Sequence, residues 1–234
     1  MKKKIRAAMA TYPGRGRAVV DAVTSISSQV DEVLLVANEY SAGNFFSVPN
    51  NVKVIFPETD LKDTGKFCGS YDDQDYVILC DDDIIYPEDY VDVMLSKLEK
   101  YSGQGAIVGV HGVIYSDFFD GDPGSRIVHV FSQGLKNDVY VNQLGTGTVA
   151  CRGSDMPSLE FMVSSARFVD VRFAAHCHRL GLHRVCIARE AGWMKEISTG
   201  VSLFDSFTIT WPSNVTAEAQ EIGGLRFLPA LFPG

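Results

Sequence analysis

Short apolar runs at Ile5 to Ala10, Val33 to Ala37, Val52 to Phe56 and Tyr76 to Cys80 constrain this chain more than any other feature. Val33 to Ala37 and Tyr76 to Cys80 carry no charged residue, so they read as strands covered on both faces. A half-exposed strand would alternate apolar and polar positions. Between the first two runs, Arg17 to Val30 places Ala18, Val19, Ala22, Val23, Ile26 and Val30 at helical spacing. A short helix is expected near Asp63 to Gly69. Pro87 suits the first turn of a helix running to about Tyr101, with Glu88 and Asp89 at its positive end. This βα succession predicts an α/β protein whose largely parallel sheet has helices on both faces.

The pattern changes after about residue 105. Ala106 to Val110, Ile127 to Phe131, Val139 to Gln143 and Thr148 to Cys151 read as strands between Gly, Asp and Asn turns, which predicts a small antiparallel or mixed sheet added to the parallel one. A helix follows from Val169 to Leu180, stopped by Gly181, and then a last strand from Val185 to Ala188. The tail beyond Ser198, with Pro212, Pro229 and Pro233, shows no period and stays unassigned. With no repeat and no linker, residues 1–234 read as a single domain.

Composition narrows the class of function. A hydrophobic share of 46% is enough for a full core and excludes a disordered chain. A net charge of -8 disfavours nucleic acid as a partner, and the basic run Lys2, Lys3, Lys4 and Arg6 reads first as a solvated lead-in to the first strand, with a lipid or phosphate patch and peripheral membrane contact as the alternative. No run of 18 apolar residues predicts a membrane span, and no secretory pattern precedes Pro13. Cys68, Cys80, Cys151, Cys177 and Cys186 lack paired C-x-x-C spacing, so reduced thiols and a cytoplasmic location are expected.

The densest chemistry is Asp81-Asp82-Asp83, directly after Tyr76 to Cys80. Three adjacent carboxylates at the end of a buried strand repel one another, and a bound cation or a set of ligand hydroxyls relieves that repulsion. A helix cap would need only one of them. A calcium loop starting at Asp81 would require Gly and Glu where Tyr86 and Asp92 stand. A haloacid dehalogenase-like phosphatase would have its motif nearer the start, followed by Thr or Val instead of Ile84. Gly14-Arg15-Gly16-Arg17-Ala18-Val19 lacks the third glycine of a dinucleotide loop. His111 follows an apolar run, where it could meet a substrate or metal, or serve only the core. The i, i+2 spacing of His176 and His178 argues against a zinc site. Trp193 could stack on a sugar ring, although core or rim packing is commoner for a Trp near a last strand.

Several segments, in order, resemble family-2-like glycosyltransferases of the GT-A type. These are Ala10-Thr11-Tyr12-Pro13, Ser25 to Asp31, Val33 to Asn38, Asp63-Thr64-Gly65-Lys66, Leu79 to Pro87, Gly145-Thr146-Gly147-Thr148 and Phe168-Val169-Asp170. The resemblance runs from about Ile5 to about Trp193. It implies a Rossmann-like GT-A fold with a nucleotide-sugar-binding half at about 1–110 and an acceptor-binding half with the tail at about 111–234. It implies that Thr11, Tyr12, Asn38, Asp63 and Lys66 line the nucleotide pocket, and that Asp81 and Asp82 face the ribose and donor sugar. Asp83, with Asp81 beside it, would bind Mn²⁺ or Mg²⁺, and Asp170 would be the general base. The implied activity is inverting transfer of a sugar from a nucleoside-diphosphate sugar to a glycan or other hydroxyl acceptor. By residue type, Arg189 could add positive charge for the leaving diphosphate. Two rival readings are a non-catalytic nucleotide-sugar or glycan-binding module and a D-x-D phosphatase-like hydrolase. A sugar nucleotidyltransferase would show a Gly-rich, Arg- and Lys-bearing loop near its start, which this sequence lacks.

Overall fold

The computed structural model describes residues 3–117, 119–120, 122–198 and 211–224. The apolar runs become strands β1 (Ile5–Thr11), β2 (Glu32–Ala37), β3 (Val52–Ile55) and β4 (Tyr76–Cys80). They pair in parallel in the order β3-β2-β1-β4. Successive residues of β4 point to opposite sides: Ile78 and Cys80 join one core, while Val77 and Leu79 join the other. Helix α1 (Ala18–Ser27) covers the first face through Val19, Ala22, Val23 and Ile26, and α2 (Tyr90–Lys100) adds Tyr90, Val91, Met94 and Leu98. Helices therefore lie on both faces, because α3 (Leu159–Met162) and α4 (Val169–Arg179) cover the second with Met162, Val169, Phe173 and Cys177.

Two short strands follow, β5 (Ile84–Ile85) after β4 and β6 (Ala106–Gly109) after α2. The remaining strands are β7 (Gly112–Tyr115), β8 (Arg126–His129), β9 (Val139–Tyr140), β10 (Gln143–Leu144), β11 (Thr148–Arg152), β12 (His183–Cys186) and β13 (Lys195–Glu196). The large sheet is mixed, with eight strands in the order β3-β2-β1-β4-β11-β6-β12-β9. Small antiparallel sheets are present as expected, but Ala106–Gly109, Val139–Tyr140 and Thr148–Arg152, expected there, lie in the large sheet. Strand β11 runs antiparallel between β4 and β6, so β6, β12 and β9 extend the same sheet. The separate sheets are β10-β7-β8, antiparallel throughout, and the pair β13-β5. Val139 to Gln143 is two strands in two sheets, and Gly112–Tyr115 is a strand that the spacing did not predict. Helix α2 starts at Tyr90, after a turn in which the Tyr90 amide donates to the Pro87 carbonyl.

The described part of the tail holds α5 (Ser213–Ile222), which the sequence reading left unassigned. Its apolar positions, Val215, Ala219 and Ile222, pack against Val171, Ala174 and Ala175 on the other side of α4. Helix α4 is thus wedged between the large sheet and α5, with a separate apolar stripe for each. All five cysteines are unpaired and four are buried. Among the described residues, no helix is long and apolar enough to cross a membrane.

Asp138 fastens α2 to the β12 edge. Its carboxylate accepts from Lys97 at 2.7 Å, Lys100 at 3.0 Å, the Tyr101 hydroxyl at 2.8 Å and the Ala188 amide at 2.8 Å. Burial alone would raise its pKa, but the Ala188 amide and these donors outweigh burial and hold it well below the usual carboxylate range. A depressed folded value contributes stability above the unfolded carboxylate value, and that stability is lost as the pH falls. Asp138→Asn is expected to cost about 2–4 kcal/mol at neutral pH. In thermal denaturation at pH 7 and pH 3, the gap from the wild type should narrow below about pH 4. An equal gap at both pH values would contradict this account.

Candidate functional site

The carboxyl ends of β1, β2 and β4 lie side by side, because β1 pairs in parallel with both neighbours, Thr11 opposite Ala37 and Met9 opposite Cys80. Tyr12, Asn38 and Asp81 leave the sheet at this edge, where open α/β sheets bind ligands. The loop Gly145 to Gly147 reaches the same edge, since Thr148 opens β11 opposite Cys80.

Each of the three carboxylates after β4 has a cation. Asp81 Oδ1 accepts from Lys66 Nζ at 2.5 Å. Asp82 Oδ1 lies 2.9 Å from Arg15 Nε, and Asp83 Oδ2 lies 2.7 Å from Arg15 Nη2. Two side-chain cations therefore serve three carboxylates. Asp82 is buried, and its Oδ2 has no hydrogen-bond partner. Burial, the charges of Asp81 and Asp82 and more distant Glu196 push Asp83 up to about 7, against the opposing pull of Arg15.

Lys66 is the most unusual of these groups. It sits on the tight 3₁₀ turn Lys62–Phe67, and its side chain is only 3% exposed, whereas that of Asp81 is 43% exposed. Burial would lower an ammonium pKa; the charge and hydrogen bond of Asp81, with Asp170 and Asp63 behind them, instead leave it raised. Lys66 also donates to Thr146 Oγ1 at 3.5 Å. Thr146 in turn gives its hydroxyl at 2.6 Å and its amide at 2.8 Å to Asp170 Oδ1. A continuous polar chain, Asp81–Lys66–Thr146–Asp170, thus joins the end of β4 to the start of α4.

The backbone is shaped around this chain. Gly147 packs so closely on Asp81 that a Cβ there would fall within the carboxylate. The Tyr86 hydroxyl accepts from the Asp81 amide and donates to the Gly147 carbonyl at 2.8 Å, clamping the two loops together. Glu39, Lys62 and Arg167 have left-handed φ values of 57°, 51° and 74° although none is a glycine. All three flank residues of this edge, and backbone strain of this kind concentrates at functional sites.

The expected site residues fall into two groups. Tyr12, Asp82 and Asp83 surround Arg15, whose guanidinium lies 5.7 Å from the Tyr12 ring centroid, while Thr11 is a buried strand end and Asp81 pairs with Lys66. Asn38, Asp63 and Lys66 instead brace the walls. Asn38 is buried; its amide protons go to the Thr11 and Lys62 carbonyls, and its Oδ1 accepts from the Leu61 amide. Asp63 holds the Arg167 amide with both oxygens, pinning the loop before α4. Asp170 does not cap its own helix: the cap position is Phe168, and the Asp170 carboxylate binds Thr146. His111 lies against Gly145, and burial lowers its pKa although Asp170 pulls the other way.

Arg189 does not serve the site. It is buried and donates to the carbonyls of Gln133, Ile187 and Val130, so its charge is used to hold the β12 edge. Trp193 packs on Tyr90 and donates to Asp89, as a rim residue. The sequence reading gave no role to Arg15, and it noted Thr146 only as part of the Gly145 to Thr148 loop. The signal for Arg15 was a single arginine inside the Pro13–Gly16 turn, directly after β1, in a stretch weighed only as a dinucleotide loop.

A divalent cation was expected at Asp83 and Asp81. Among the described residues there is no group of three or more His, Cys, Asp and Glu able to hold a metal alone. The local donors nevertheless fit a hard cation that keeps most of its ligands as phosphate oxygens and water: carboxylates exceed cations here, and the buried Asp82 Oδ2 is unpaired.

No family model matches the sequence, nor does any curated protein. Among solved structures, the crystal structure of mannose-6-phosphate isomerase from Helicobacter pylori aligns over 78% of this chain and 86% of its own, with a TM-score of 0.39 and 12% identity. A likeness of that degree decides neither fold nor activity.

The asymmetry of the Lys66–Asp81 pair generates a test. Asp81→Asn strands a buried ammonium and should cost about 3–5 kcal/mol. Lys66→Met removes the buried charge and leaves Asp81 to the water that already reaches it, so its cost should be at least about 1 kcal/mol smaller. Urea denaturation of both variants checks this. Equal losses would mean that Lys66 is solvated in solution.

Proposed function

We propose that this chain is a glycosyltransferase of the GT-A type, acting on a nucleoside-diphosphate sugar. The observation that carries the reading is the polar chain from Asp81 through Lys66 and Thr146 to Asp170. It couples a carboxylate cluster at a strand end to a lone carboxylate facing the same edge. The eight-stranded mixed sheet with helices on both faces is compatible with that fold.

In this reading the diphosphate and donor sugar lie at the edge formed by Thr11, Tyr12 and Asp81 to Asp83. The acceptor hydroxyl approaches from the side of Asp170. Its oxygen attacks the anomeric carbon and its proton passes to the Asp170 carboxylate. The new carbon–oxygen bond forms as the bond to the diphosphate breaks, and the electron pair leaves on the phosphate oxygen. Thr146 orients Asp170 through two hydrogen bonds to Oδ1. Lys66 pairs with Asp81 and fixes its position, so the cluster needs little rearrangement during transfer. Asp83 and Asp81 would hold a Mn²⁺ or Mg²⁺ ion, which when bound supplies positive charge for the departing diphosphate.

Asp170→Asn separates transfer from binding. Asparagine keeps an Oδ1 for both Thr146 donors but cannot take a proton. Transfer of labelled sugar to a panel of hydroxyl acceptors should fall by about 10²–10⁴. Calorimetric donor binding should stay within a few fold of the wild type. Full transfer by the variant would remove Asp170 from the chemistry. If the wild type bound donor yet transferred to no acceptor, a binding module would be the better reading.

A further inference from the structure

Arg15 occupies an unexpected place. Its guanidinium bridges two members of the carboxylate cluster, with Nε on Asp82 and Nη2 on Asp83. The Arg15 side chain is 10% exposed, against 7% for Asp82 and 20% for Asp83. The bridge is therefore largely shielded from water, where charge-assisted bonds are strong. Arg15 is held by a short turn, Pro13–Arg15, and not by the sheet. Gly16 follows it at φ 55° and ψ -129°, a conformation that suits glycine and lets the turn reverse within one residue. A second observation points to a positive ligand here: Asp82 Oδ2 is buried beside this bridge and makes no hydrogen bond of normal geometry, with the Thr11 hydroxyl near the carboxylate.

We propose that Arg15 and a divalent cation are alternative counter-ions for Asp83, and that the displaced guanidinium then holds the diphosphate. The inference rests on the nucleotide-sugar reading for its ligand, but its first half concerns the cation alone. A carboxylate oxygen engaged by a guanidinium at 2.7 Å has its best lone-pair direction taken. A metal ion at the same carboxylate would stand beside the guanidinium in a largely shielded site, where the repulsion between the two positive charges makes them compete. The expelled guanidinium remains within reach of the same edge, and its planar fork matches phosphate oxygens better than a lysine would. The device keeps the cluster partly neutralised before ligand arrives, and it links cation binding to diphosphate binding because each favours the same position of Arg15.

The test uses the full chain, with Mn²⁺ and pyrophosphate as probes, in wild-type, Arg15→Gln and Arg15→Lys forms. Calorimetric affinity for Mn²⁺ alone should rise about tenfold in Arg15→Gln, since the competing charge is gone. In saturating Mn²⁺, pyrophosphate affinity should fall about tenfold in the same variant. Arg15→Lys keeps a charge but loses the fork across both carboxylates, so its Mn²⁺ affinity should lie between the other two. This variant decides the matter if Arg15→Gln does not fold. Equal Mn²⁺ affinities in wild type and variants, or weaker binding when Arg15 is removed, would overturn the proposal. So would the absence of Mn²⁺ binding in every form. Tighter Mn²⁺ binding by Arg15→Gln in a protein that transfers no sugar would leave the counter-ion exchange standing and reject only the transferase reading.

Discussion

The buried ammonium of Lys66 is the constraint on which the rest of the site depends. A fully desolvated charge of this kind survives only beside a fixed opposite charge, and Asp81 is that charge. Fixing Asp81 fixes the turn after β4, which Tyr86 locks to Gly147. That in turn sets Thr146, and Thr146 sets Asp170. The chemistry-bearing residues are therefore a connected set whose geometry follows from one ion pair beneath them.

Topology makes the connection possible. Strand β11 enters antiparallel against β4, so the loop before it arrives at the carboxyl ends of the parallel strands. A parallel strand in that position would have brought its other end to this edge and sent Gly145 to Gly147 to the far side. Helix α4 is then pressed on the sheet through Val169, Phe173 and Cys177 and backed by α5, which holds Asp170 against Thr146. The antiparallel insertion and the wedged helix together bring residues about ninety positions apart into one hydrogen-bonded chain.

The parallel half was largely legible in the sequence because strands covered on both faces leave apolar runs, unbroken in β4 and in Val33 to Ala37 of β2 and interrupted in β1 only by Arg6 near its start. The mixed half was less so. Strands β9 and β10 are two residues each, too short to leave a period, and they belong to different sheets although only two residues separate them. Helix α5 was legible in Val215, Ala219 and Ile222 at i, i+4 and i+7, but it is short and lies in a proline-containing tail that as a whole shows no period. At the site, Asp81 to Asp83 stood out because like charges are rarely crowded at a strand end. Their counter-ions did not, because Arg15 and Lys66 lie 67 and 15 residues from their partners, and only the fold brings them together. Asn38 and Asp63 lie at the same sheet edge as Asp81, but their side chains serve the backbone, a distinction carried by hydrogen-bond direction and invisible in residue type.

The central claim is that this edge binds a nucleoside diphosphate with a divalent cation. The most direct test is a thermal-denaturation panel of nucleoside diphosphates, with Mn²⁺, with Mg²⁺ and with EDTA, on the wild type and Asp83→Asn. Binding to the folded state at one hundred times the dissociation constant adds about 2.7 kcal/mol of stability. The account predicts that at least one nucleoside diphosphate raises the midpoint by several degrees with metal, that EDTA removes the rise, and that Asp83→Asn never shows it. A midpoint unmoved by every nucleotide, or a shift indifferent to both EDTA and Asp83, would contradict it.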